Sequence, residues 1–175
     1  MRTMSFVAIA ASALAIAIAP GPSIGADSAR AEIVNPVGAV IGAATFEQTP
    51  TGVLMHVEVR DLPPGAHGIH LHATGSCSPS FKSATGHINP EKVAHGLRNP
   101  EGPDNGDLPN LYAAADGTAQ AEFFTTRVSV AGGGAPSLLD EDGSAVIIHE
   151  NPDDHMTQPI GGAGGRIGCG IISKM

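Results

Sequence analysis

The 175-residue chain has no tryptophan and one tyrosine, Tyr112, which argues against a site that stacks aromatic rings on a ligand. Positive charge is also scarce. Nine Lys and Arg against 17 Asp and Glu give a formal net charge of −8, which argues against nucleic acid or an anionic membrane surface as partner. No stretch carries a sustained helical stripe of apolar residues, so a helical fold is not expected. One long hydrophobic run exists, Phe6 to Ala19, interrupted only by Ser12 and stopped by Pro20-Gly21-Pro22. It is short for a membrane span and has no stop-transfer flank. With Met1 and Arg2 ahead of it, the run reads as an export signal over residues 1–26, cleaved after Ala26. Ala29-Arg30-Ala31 offers a second cleavage site, and an uncleaved anchor is the alternative reading. No cysteine sits near the signal's end, which excludes a lipid-anchored cysteine. Residues 27–175 then form one domain, periplasmic or secreted, with a single core and no membrane contact in the mature form. The signal removes Arg2 alone from the basic residues, so the mature chain is more acidic still.

Cysteine is nearly absent too. Cys77 and Cys169 are the only two, and in an oxidising compartment they most simply pair with each other. Such a bridge closes a loop of about 90 residues, worth about 4–5 kcal/mol in the chain-entropy model. Two separate buried thiols are the alternative.

What the chain does have is β pattern. Ala39 to Glu47 and Val53 to Arg60 are β-rich runs joined by Gln48-Thr49-Pro50-Thr51-Gly52. Val53, Met55, Val57 and Val59 alternate with His56, Glu58 and Arg60, so His56 is expected to face solvent. Leu111 to Ala115 and Thr118 to Phe124 flank the tight-turn pair Asp116-Gly117, and Ala145 to His149 and Arg166 to Ile172 read as late strands. The expectation is an all-β domain. Two long segments without a strand pattern, about 77–108 and 150–165, hold most of the unusual residues and are read as functional loops.

The chemistry concentrates in histidine. In Gly68-Ile69-His70-Leu71-His72, two imidazoles leave one face of an extended strand with Cα atoms about 7 Å apart, a spacing that lets both reach one metal ion. His87, His95, Asp104, Asp107 and His149 follow, and the set points to a bound metal.

Five motifs then occur in a recognisable order: His67-Gly68-Ile69-His70-Leu71-His72-Ala73-Thr74-Gly75-Ser76-Cys77, Gly86-His87-Ile88-Asn89-Pro90, Gly106-Asp107-Leu108-Pro109, Ile148-His149 with Asp153 after it, and Gly164-Gly165-Arg166-Ile167-Gly168-Cys169-Gly170-Ile171-Ile172. On these the chain resembles the exported bacterial copper–zinc superoxide dismutases across roughly residues 33–172. The resemblance implies an antiparallel Greek-key β-barrel or sandwich. It implies copper at His70, His72, His87 and His149, with His87 shared as a bridge to zinc. It implies zinc at His87, His95 and Asp107. The remaining family ligand is a histidine three residues before the aspartate, and here that residue is Asp104. A carboxylate is an acceptable zinc ligand, so Asp104 either completes the site or merely faces solvent or caps a turn. His67 takes the family's structural role, Asp153 that of the carboxylate linking copper and zinc histidines, and Arg166 that of the active-site arginine. Asp154 and His155 match nothing and are expected at the surface.

The implied activity is dismutation of superoxide anion, with Arg166 and His87 as the catalytic side chains. Lys82, Lys92 and Arg98 lie in the first long loop and are candidates for drawing the anion in against the net charge. Two rival readings share the scaffold. A non-enzymatic copper-binding or delivery protein needs the copper ligands but not Arg166 or Asp153, and both are present; a copper-only dismutase lacks the second metal. A homodimer is compatible with the family, whose interfaces vary.

Overall fold

A computed structural model describes residues 27–175; the export signal read over residues 1–26 lies outside the described residues. Nine strands form the domain: β1 (Ser28–Val34), β2 (Val40–Thr49), β3 (Gly52–Val59), β4 (Gly65–His67), β5 (Ile69–His72), β6 (Leu111–Ala113), β7 (Ala119–Thr125), β8 (Ala145–His149) and β9 (Arg166–Lys174). The one helical element described is a single 3-10 turn, Phe81–Ala84. Seven strands make one curled antiparallel sheet in the order β5-β8-β9-β1-β2-β3-β7, and β4 pairs with β6 beside it. The last strand thus lies next to the first, and the β7–β8 connection crosses from one edge of the sheet toward the other. This is the antiparallel Greek-key β class expected.

The alternation that predicts β3 is realised: Val53, Met55, Val57 and Val59 are buried on one face and join Ala31, Ile33, Ala44, Phe46, Ile69 and Leu71 in one core. His56 is on the outer face, where its Nε2 meets Gln120 Nε2 at 3.1 Å. β8 and β9 also fall where the pattern puts them.

Three features depart from expectation. Strand β1 lies mid-sheet, between β2 and β9, over the stretch that contains Ala29-Arg30-Ala31. Its inward residues Ala29, Ala31 and Ile33 are fully buried. Small alanines with weak β preference hide the strand, although the period-2 alternation with Arg30 and Glu32 is present in the sequence. The turn at Asp116-Gly117 forms, with the Ala114 amide donating to Thr118 O at 2.8 Å, but β6 then pairs with β4 and β7 with β3, so it joins two sheets rather than two ladder partners. Besides the two expected loops, a third strand-free segment spans 126–144.

The disulfide Cys77–Cys169 is formed, with Cα atoms 5.9 Å apart, and fastens the start of the first long loop to β9. That loop returns to cover the open edge of β5. The Leu71 amide donates to Gly106 O at 2.9 Å, Ile88 to Leu71 O at 3.0 Å and Ala73 to Gly86 O at 2.9 Å. His70 is thereby bridged to Asp107 and His72 to His87. An otherwise unpaired sheet edge becomes the place where strand and loop histidines meet.

Candidate metal centre

Period-2 geometry puts His70 and His72 on one face of β5 while Ile69 and Leu71 enter the core. His149 ends β8, the strand paired with β5. Loop cover brings in His87. The imidazoles of His70 and His87 lie 4.3 Å apart between ring centres, those of His72 and His87 5.1 Å, and those of His70 and His149 4.9 Å. One atom each from His70, His72 and His149 fall within 4.8 Å of one another.

Each of these four rings has one nitrogen tied and one free. His70 Nε2 meets Asp153 Oδ2 at 2.9 Å, His72 Nδ1 meets Thr85 O at 3.0 Å, His87 Nδ1 meets Asp104 Oδ2 at 2.9 Å, and His149 Nδ1 meets Gly164 O at 3.3 Å. The opposite nitrogens, His70 Nδ1, His72 Nε2, His87 Nε2 and His149 Nε2, are buried without a hydrogen-bond partner in the chain. Buried polar atoms are seldom left so. Burial drives His72 well below the ordinary imidazole range, with help from His87 and Arg166, and takes His149 down to about 3. His70 is lowered too, chiefly by burial. His70, His72 and His149 are therefore neutral and lone-pair rich.

A second group, His87, His95, Asp104 and Asp107, also has ligand atoms within 4.8 Å of one another. Asp104 is only 3% exposed, which overturns the solvent-facing alternative. Its Oδ1 accepts from the Gly106 amide at 3.0 Å while Oδ2 faces His87, so it caps the turn and belongs to the cluster at once. Asp107 Oδ2 accepts from the Gly96 and Asp104 amides at 2.7 and 3.0 Å, leaving Oδ1 toward His95 Nδ1 at 2.5 Å. Gly106 is glycine because a Cβ there would stand 2.2 Å from Leu71 O. Burial opposes charge on His95, but Asp107 and Asp153 outweigh it and raise its pKa to about 10. His87 is raised likewise, against burial, by Asp104 and Asp107. Burial alone would push Asp107 and Asp153 up; their histidine bonds hold both below the usual carboxylate range.

Asp153 joins the two groups. It bonds His70 Nε2 through Oδ2 and His95 Nε2 through Oδ1, at 2.9 and 3.1 Å. Asn110 clamps its backbone from both sides at 2.8 Å. Gly161 must be glycine beneath it, since its φ is +61° and a Cβ would strike Asp153 Oδ1. His67 sits between two carbonyls, its Nδ1 2.8 Å from His149 O and its Nε2 2.7 Å from Pro63 O.

Arg166 stands opposite His149 in the β8–β9 ladder. Its Nη1 and Nη2 donate to Phe81 O and Thr85 O, both at 2.5 Å. Thr85 O is thus shared by Arg166 and His72. Arg166 and Lys82 line a cavity of about 680 Å³ with Cys77, Ser80, Phe81 and Thr85; Lys92 and Arg98 are not in its wall.

Asp154 is exposed, as expected, and caps the turn at Met156 and Thr157. His155 is not. Its side chain is 14% exposed, with Nδ1 3.2 Å from Asp153 Oδ2, and it adopts φ +63° so that its amide donates back to Asp153 Oδ1. Asn110, Thr85 and Arg127 take part in the site without having been singled out by sequence, and His155 does so against the expectation of a surface position. Their contacts run largely through backbone carbonyls and amides, which no motif records.

Residues 40–172 match the sequence profile of the copper/zinc superoxide dismutase family. A Cu-Zn superoxide dismutase of Caulobacter vibrioides is 51% identical over 148 residues, covering 83% of this chain and 85% of that protein. One from Aquifex aeolicus is 44% identical over 146 residues, covering 82% and 85%. Among solved structures, a double mutant of a SOD-like protein from Bacillus subtilis superposes with a TM-score of 0.78 at 41% identity, over 81% of this chain and 95% of that one. The Cu/Zn superoxide dismutase of Brucella abortus gives 0.68 at 28% identity, over 83% and 99%.

Proposed function

The chain belongs to the copper/zinc superoxide dismutase family, and from that membership and the donor set we propose how its own residues carry out the reaction. It is an oxidoreductase that converts two superoxide anions and two protons into dioxygen and hydrogen peroxide, with copper and zinc as cofactors. The single observation that carries the residue assignment is the set of buried ring nitrogens without partners. His70 Nδ1, His72 Nε2, His87 Nε2 and His149 Nε2 would be the copper donors; four imidazoles suit that metal. His87 Nδ1, His95 Nδ1, Asp104 and Asp107 are the zinc donors, a nitrogen and oxygen set that zinc accepts. Bound copper supplies the one-electron couple, and bound zinc a fixed charge on the second nitrogen of His87.

The remaining work belongs to the protein. Arg166 uses two of its five N–H groups on Phe81 O and Thr85 O, and the others are left to hold the incoming anion by charge-assisted hydrogen bonds. When its Nε2 is not engaged by copper, His87 would be free to hold a proton there, one of the two that the reaction consumes. Asp153 fixes the tautomers of His70 and His95, so each presents a lone pair rather than N–H to its metal. Export is part of the same reading. Cleavage after Ala26 leaves β1 whole, whereas cleavage at the Ala29-Arg30-Ala31 site would cut into it; the mature N-terminus, read by mass spectrometry, tests this.

Metal analysis of purified protein alongside superoxide consumption tests the function. One copper and one zinc per chain with activity near the diffusional ceiling is expected, a ceiling this enzyme class is known for rather than one deduced from the geometry. Copper-loaded protein that leaves superoxide untouched would favour a copper-binding role.

A further inference from the structure

The zinc group lies at one end of a four-residue turn, Asp104-Asn105-Gly106-Asp107, that carries both carboxylates. Their side chains point to His87 and His95, while the main-chain carbonyls of the two aspartates point to Arg127. Arg127 Nε donates to Asp104 O at 3.1 Å and Nη2 to Asp107 O at 2.6 Å. Asn105 Nδ2 returns a bond to Arg127 O at 2.8 Å. Arg127 comes from the unforeseen loop 126–144 and has no carboxylate within salt-bridge distance among the described residues. A half-buried guanidinium spent wholly on two carbonyls of one turn calls for a reason.

We propose that Arg127 is a positioning residue for the second metal, gripping the Asp104 and Asp107 carbonyls so that both carboxylates face His87 and His95. This rests on the zinc assignment above and extends it to a residue that touches no metal. The planar fork fixes the relative orientation of two acceptors, which a single-point ammonium cannot do. Without it the Asp107 carbonyl loses its donor and the Asp104 carbonyl keeps only the long bond from the Asp107 amide at 3.4 Å, so the turn is free to rotate either aspartate away. The positive charge also eases the convergence of two carboxylates before metal arrives. A nearby cation repels zinc as well, so charge and geometry predict opposite signs for removal. The two direct bonds at the turn make geometry the larger effect.

The test uses the full mature protein and zinc itself, with affinity measured by competition against a chromogenic chelator. Arg127→Met should weaken zinc about 10–100-fold, the usual scale for residues that support metal ligands. Copper affinity should stay within about twofold. Cobalt(II) in place of zinc should show an altered ligand-field spectrum, a signature that a merely stabilising residue would not move. Arg127→Lys, which keeps the charge but reaches one carbonyl, should recover part of the affinity. Unchanged or tighter zinc in Arg127→Met, or equal loss of both metals, overturns the proposal. Should Arg127→Met not fold, Asn105→Ala decides: a several-fold loss of zinc supports the clamp, and wild-type affinity overturns it. Wild-type protein that takes up copper but no zinc would instead overturn the zinc assignment itself.

Discussion

Asp153 sets the contrast between the two halves of the centre. Through one oxygen it faces His70, which stays below the ordinary imidazole range; through the other it faces His95, which rises to about 10. In metal-free protein at pH 7, His95 is therefore protonated, while His72 and His149 are neutral. Zinc must displace at least that proton, whereas copper meets bare lone pairs on these two strand-borne histidines. Calorimetric titration in buffers of different ionisation heat should show proton release with zinc and much less with copper; equal release would remove the basis for the contrast. The same shift acts on stability. The raised pKa of His95 stabilises the metal-free fold below about pH 6.5 and ceases to do so as pH climbs toward 10. The depressed carboxyls of Asp107 and Asp153 stabilise above about pH 4, and that contribution is lost on acidification. Arg166 gives a different residue-level expectation. Arg166→Ile should lower activity by about one to two orders of magnitude, the equivalent of losing a charge-assisted hydrogen bond of roughly 1.5–3 kcal/mol. Copper content should hold and inhibition by small anions should weaken. Full activity in the variant would leave the arginine without a part in the reaction.

At the scale of elements, the centre depends on how closely the first long loop lies against β5. Gly106 is the tightest point, since a Cβ there would stand 2.2 Å from Leu71 O and 3.0 Å from His87 Cβ. Gly106→Ala should therefore push the loop outward, costing about 1–3 kcal/mol on thermal unfolding and reducing both metals together. Intact stability with full metal content would show that the loop tolerates the displacement. Legibility follows the same division between strands and loops. β3 is readable because bulky apolar residues alternate along it, β2, β8 and β9 because they are short β-rich runs, and the His-x-His of β5 because period 2 sends both rings one way. β1 was hidden by its alanines. Asp104 could not be resolved because Asn99 to Asn105, rich in proline, glycine and charge, looks the same whether it is solvated or folded over a cation. Arg127 acts on main-chain carbonyls and Thr85 through its own, and the partners of such groups depend on which loops meet in space. His155 differs again: an isolated left-handed backbone turns it inward, and φ is not written in residue type.

For the whole molecule, the question is how a chain of net charge −8 serves an anionic substrate. Lys82 and Arg166 share one cavity wall, so the local field there opposes the global one. Lys82→Glu should lower kcat/KM and diminish or reverse its decline with added salt, with metal content unchanged. Steady-state rates across ionic strength read this directly. A salt profile identical to wild type would assign the attraction to Arg166 alone.

The bridge between Cys77 and Cys169 has a consequence for timing. It anchors the strap whose Phe81 and Thr85 carbonyls hold Arg166, and Thr85 also steadies His72. A chain still in a reducing compartment has its histidines encoded but its strap unmoored, so the grip on the anion matures only after oxidation. The export proposed above would then also complete the site, since the same oxidation that closes the bridge fixes the strap that holds Arg166.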